Sequence, residues 1–93
     1  MKKYELMTIY PIDDEKSKKG AEDVKATLAK FGAEIEEEKV IGDRDLTYLI
    51  QKQKKGKFVL YTMKLNPAKV VEIQNEFKIN MNMLKHQFVK IDE

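Results

Sequence analysis

A chain of 93 residues holds one domain around one core, burying roughly 60 to 65% of its unfolded surface, and leaves no room for a second. Hydrophobic residues at 42% and charged residues at 37% exclude a disordered chain, while the absence of cysteine excludes disulfides and thiolate metal sites and suits a reducing cytoplasm. The net charge is only +2, yet residues 1–51 carry 9 Lys/Arg against 12 Asp/Glu and residues 52–93 carry 9 against 4, so the basic half offers a face to an anionic partner.

The opening "MKKYELMTIYP" is too short and too polar for a signal peptide or a membrane span. Its alternation of Tyr4, Leu6, Thr8 and Tyr10 against Glu5, Met7 and Ile9, stopped by Pro11, predicts a strand. Asp13 or Asp14 then caps a helix with an acidic first turn, in which Ala21, Val24, Leu28 and Phe31 recur at helical spacing and Gly32 supplies a left-handed stop. Gly20 inside that helix costs about 1 kcal/mol against alanine, so its first turns are expected to fray.

Residues 33–52 read as one long irregular strand with a bulge or bend at Gly42. "KQKKG" predicts a turn with glycine at its end, and "KFVLYTMKL" is the returning strand of the hairpin. Asn66 and Pro67 predict an N-cap and first helical position, and Val70, Ile73 and Phe77 the apolar stripe of a second helix. After "INMN", Leu84, His86 and Phe88 alternate with Lys85, Gln87 and Val89 in a last strand. The order β-α-β-β-α-β, with right-handed crossovers, predicts an α+β ferredoxin-like fold. Its four-stranded antiparallel sheet carries both helices on one face, with the first and third strands central.

Catalysis is not indicated. His86, the only histidine, sits in strand alternation as a packing residue. The loop Pro11-Ile12-Asp13-Asp14-Glu15 would repel the phosphate that acylphosphatase-like enzymes of this topology bind. Glu36, Glu37 and Glu38 point alternately to opposite faces and cannot converge on a metal, so they read as a solvated edge. No cofactor, metal or small-molecule substrate is expected.

"KKGKFVLY", Lys54 to Tyr61, approaches the RNA-binding signature of the RRM but lacks its stacking aromatics. Lys57 and Phe58 occupy its third and fourth places, and alternation divides Phe58 and Leu60 from Lys57, Val59 and Tyr61. An RRM-like single-stranded RNA-binding module is the alternative function. "IGDRDLTYLI", Ile41 to Ile50, says more. Leu46, Tyr48 and Ile50 share a face with Arg44, whereas Leu49 points to the other side, away from the helices, so this edge strand is apolar on both faces and invites a covering chain.

Within it, Gly42, Arg44, Asp45, Leu46, Tyr48 and Ile50 match the signature of the bacterial ribosomal protein S-six family, the sixth protein of the small subunit, with Thr47 where that family has alanine or serine. The basic "KKYE" start, "FGAEI", the turn from Lys52 to Gly56 and the element order extend the resemblance along the whole chain. It implies a cytoplasmic, ribosome-bound structural protein that pairs with ribosomal protein S-eighteen and binds the central domain of small-subunit ribosomal RNA. On this resemblance the phosphate contacts fall to Lys52, Lys54, Lys55 and Lys57 around the turn, with Lys2, Lys3 and Lys90 from neighbouring strands and Lys85 as a weaker candidate. The partner interface falls to Gly42, Arg44, Leu46, Tyr48, Leu49 and Ile50. Relatives often carry a C-terminal extension, and its contacts are expected to be missing from a chain that ends at Glu93.

Overall fold

Alternation along Lys2–Tyr10 (β1) sorts that strand between two environments. In the computed structural model, which describes residues 1–80 and 82–91, Tyr4, Leu6, Thr8 and Tyr10 are buried beneath the helices, while Lys3, Glu5 and Met7 on the other face are only half-buried. The remaining elements are α1 (Asp14–Lys30), β2 (Glu34–Ile50), β3 (Gln53–Leu65), a 3-10 turn (Pro67–Lys69), α2 (Val70–Phe77) and β4 (Lys85–Lys90). All neighbouring strands are antiparallel and the order is β2-β3-β1-β4, so β1 and β3 are central as predicted. Val24 and Leu28 of α1, Ile73 and Phe77 of α2, and Val59, Tyr61, Met63 and Leu65 of β3 close one core with β1. Each fully buried aliphatic chain there contributes about 1.5 to 3 kcal/mol.

Two buried tyrosines meet in that core. The hydroxyls of Tyr10 and Tyr61 share a hydrogen bond of 3.0 Å, and the Thr8 hydroxyl donates to the Val59 carbonyl at 2.9 Å. Burial pushes both phenols above their ordinary range, and for Tyr61 the neighbouring Tyr10 adds to the effect. The pair is therefore a neutral, satisfied polar bridge between the two central strands.

The ends of α1 follow the sequence closely. Asp13 is the cap, its carboxylate accepting from the Lys16 amide at 3.0 Å. Gly32, at φ +77°, closes the other end, with Ala33 N–H reaching the Leu28 carbonyl and Gly32 N–H the Ala29 carbonyl, the paired bonds of a Schellman stop. Asn66 accepts from the Ala68 amide at 3.0 Å, but the turn it opens is 3-10, and α2 proper begins at Val70.

Three expectations need correction. Gly20 does not loosen the first turns of α1. It is buried, and a Cβ there would lie 2.3 Å from the Asn82 carbonyl oxygen and 2.8 Å from the Tyr10 ring. Glycine is the residue that lets helix and loop touch. The hairpin turn is Gln51–Lys52, both with positive φ, and Lys54 to Gly56 already belong to β3. Gly56 serves a close approach instead, since a Cβ would meet the Ile9 side chain at 2.3 Å. Finally, the ladder between β2 and β3 passes from Asp45 opposite Lys55 directly to Ile50 opposite Gln53. Leu46 to Leu49 thus face a single β3 residue, and strict alternation fails there.

Candidate nucleic-acid and partner interfaces

The excess residues of β2 carry the hairpin over the helix-free face of the sheet. Leu46, Tyr48 and Ile50 line a cavity of about 190 Å3 with Met7, Ile9 and Phe58, all residues of that face. The Lys85 ammonium on β4 donates to the Tyr48 hydroxyl at 3.4 Å, so the hairpin reaches the opposite edge of the sheet. Ile9, on a face that the helices leave open, is consequently only 3% exposed. The orientation assigned to this strand is thereby reversed. Leu46, Tyr48 and Ile50 lie on the side away from the helices, and Leu49 stands outside their row.

The six residues of β2 expected at the partner interface divide by exposure. Gly42, at φ +109°, sits at the predicted bulge opposite Phe58. Arg44 is exposed and donates to the Asp43 carbonyl at 3.3 Å. Leu46 and Ile50 are half-buried against the molecule's own sheet. Tyr48 at 63% and Leu49 at 58% exposure are left open to another chain. Two residues absent from the motif join them on the same edge, Val40 at 64% and Ile41 at 37%. Their signal was present in the sequence, an adjacent apolar pair immediately before the bulge glycine.

The seven lysines form two groups rather than one. Because β1 runs antiparallel to β3, Lys2 lies opposite Leu65 whereas Lys57 lies opposite Tyr10, a separation of about 27 Å along the sheet. Lys52, Lys54, Lys55 and Lys57 occupy the hairpin end, and Lys2, Lys3 and Lys90 the other. Several are already engaged. Lys57 is half-buried on the helix side, with its ammonium 3.5 Å from the Asp14 carboxylate and 3.4 Å from the Ser17 hydroxyl. Lys55 stands 4.0 Å from Asp45, and Lys3 3.8 Å from Glu36. Such exposed pairs are worth about 0 to 1 kcal/mol and yield readily to a phosphate. Lys52 and Lys54 are exposed and take part in no ion pair among the described residues.

The acidic run is divided as well. Glu36 reaches Lys3, whereas Glu38 reaches Lys25 of α1 at 3.0 Å, because a register shift between Ile35 and Glu37 separates them. His86 is half-buried and packs edge-on to Phe77, ring centroids 5.2 Å apart, and its pKa is held below the usual range by burial and secondarily by Lys78. Among the described residues no helix is long and apolar enough to cross a membrane.

The sequence profile of the family described as ribosomal protein S6 matches residues 3–90. The small ribosomal subunit protein bS6 of Treponema denticola is 40% identical over 93 residues, covering all of both chains. That of Treponema pallidum strain Nichols is 34% identical over 92 residues, or 99% of each chain. Among solved structures, the 30S ribosomal protein S6 of Thermotoga maritima superposes with a TM-score of 0.87 over 97% of this chain and 87% of that one, at 19% identity. The C-terminal domain of the Mycobacterium tuberculosis MgtC protein superposes with a TM-score of 0.66 at 8% identity, over 98% of this chain and 88% of that one. The two structural likenesses carry the ferredoxin-like fold alone.

Proposed function

The chain belongs to the ribosomal protein S6 family, and from that premise we propose that it is a structural, non-catalytic constituent of the small ribosomal subunit, working in the cytoplasm on the ribosome. It binds the central domain of small-subunit ribosomal RNA together with ribosomal protein S-eighteen. The observation that carries this reading is the match to the family over residues 3–90, joined to full-length similarity to small-subunit proteins.

The geometry supports a division of labour. β2 is a 17-residue edge strand whose exposed apolar groups, Val40, Ile41, Tyr48 and Leu49, suit a protein partner. The lysines at the two ends of the sheet, Lys52, Lys54, Lys55 and Lys57 at one and Lys2, Lys3 and Lys90 at the other, suit the phosphates of a folded RNA. An RRM-type platform is disfavoured, because the hairpin's own Leu46, Tyr48 and Ile50 stand over Ile9 and Phe58 where bases would stack.

The test is sedimentation of the tagged full chain in a cell extract. Migration with the small subunit, surviving a moderate salt wash, is expected. A chain that stays at the top of the gradient when subunits are intact overturns the proposal.

A further inference from the structure

The hairpin tip brings a second feature to the sheet. Gln51, at the turn, meets the end of α2 and the start of β4 in a cleft of about 290 Å3, lined also by Phe77, Lys78, Asn80, Lys85 and His86. That volume is at the small end of ligand clefts, about 300 to 1,000 Å3. Its chemistry is mixed in a particular way. Lys78 and Lys85 are exposed cations that take part in no ion pair among the described residues. Lys85 is steadied by its bond to the Tyr48 hydroxyl. His86 presents a half-open ring backed by Phe77. Gln51 carries an exposed carboxamide, both donor and acceptor.

Resting on the ribosomal RNA-binding reading, we propose that this cleft takes one unstacked nucleotide of single-stranded RNA. Its phosphate lies between Lys78 and Lys85, its base against the His86 ring, and a base edge meets Gln51. Two cations alone would serve any anion, an acidic peptide included. A ring held edge-on by Phe77 and a carboxamide that can both donate and accept suit a base, whereas a carboxylate could use only the carboxamide's donor. A duplex, with its bases stacked inside, presents no base to such a recess.

Of the cleft's charged groups, Lys78 at the end of α2 acts on His86, while Lys85, its neighbour on β4, reaches toward Tyr48 on the other face, and Gln51 and Thr8, its partner on β1, are neutral. Burial lowers the His86 pKa most and Lys78 next, and an entering phosphate offsets Lys78 and favours the imidazolium, which moves the pKa upward.

Because His86 is the only histidine, its ring resonances report on the cleft directly. The experiment is an NMR titration of the full chain with a mixed-sequence single-stranded RNA hexanucleotide, an RNA duplex, an acidic peptide and inorganic phosphate. A saturable shift of the His86 ring signals with the hexanucleotide is expected, with an upward move of its titration midpoint and at least 5-fold weaker binding in K78Q/K85Q. The duplex, the peptide and phosphate at equal concentration should have little effect. A response to the peptide equal to that to RNA, or no shift with the hexanucleotide, overturns the proposal. If the chain still sediments with small subunits, that failure is the cleft's alone and leaves the broader function standing.

Discussion

Replacing Leu49 by lysine separates a partner-covered edge from an edge that guards itself. Leu49 is 58% exposed in the free chain, so lysine there keeps most of its solvent, and the cost to folding should stay within about 0.5 kcal/mol. Complete burial of a leucine is worth about 1.5 to 3 kcal/mol, and a covering partner would gain roughly the exposed half of that, about 1 to 2 kcal/mol. Leaving an unpaired ammonium in the contact adds a desolvation penalty. Association with S-eighteen should therefore weaken by about 2 kcal/mol or more, which is about 30-fold in Kd. Leu46→Lys is the internal contrast, because Leu46 is half-buried against Gly56 and its neighbours and its loss should lower the stability of the free chain. Urea unfolding measures the first quantity and calorimetric titration with S-eighteen the second. Unfolding of the free L49K chain would show that Leu49 is a core residue. Unchanged stability and unchanged association would remove this end of β2 from the interface.

Three further outcomes follow from particular contacts. Gly20→Ala should destabilise by up to about 2 kcal/mol in urea unfolding, because overpacking against the Asn82 carbonyl costs about 1 to 3 kcal/mol against the roughly 1 kcal/mol of helix propensity gained; a stabilised variant would refute the close contact. His86 has a lowered pKa in the folded chain, so below about pH 6.5 the unfolded state binds more protons and stability falls on acidification. Its contribution is present above that pH, and His86→Gln should flatten the change in urea midpoint between about pH 7.5 and 5.5. In salt titrations of RNA binding, K52A/K54A should reduce the slope of log K against log salt by up to about 2, whereas Lys57→Ala, which removes contacts to Asp14 and Ser17, should change stability more than slope.

Much of this architecture is written locally in the chain. The alternation at Tyr4, Leu6, Thr8 and Tyr10, the cap at Asp13 and the stop at Gly32 each need only a few neighbouring residues to be recognised, and all three are present in the structure. The bulge at Gly42 is equally local. What escaped depends on distant partners. Gly20 and Gly56 look like a helix fault and a turn residue until Asn82 and Ile9 stand opposite them. The turn at Gln51–Lys52 places two non-glycine residues at positive φ, which turn chemistry disfavours. The separation of the lysines follows from antiparallel pairing across β1 and β3. The hairpin's passage over Ile9, which decides the side on which Leu46, Tyr48 and Ile50 lie, requires a three-residue excess that alternation cannot count.

The central claim is that RNA binding by this chain is shared with a protein partner held on β2. A net charge of +2 and lysines split between two ends of the sheet predict weak binding by the chain alone. The direct measurement is its affinity for the central domain of small-subunit ribosomal RNA with and without S-eighteen, at one fixed salt concentration. The account predicts binding at least about 10-fold tighter, or about 1.4 kcal/mol, when the partner is present, with the gain lost in L49K. Equal affinity with and without the partner would contradict it.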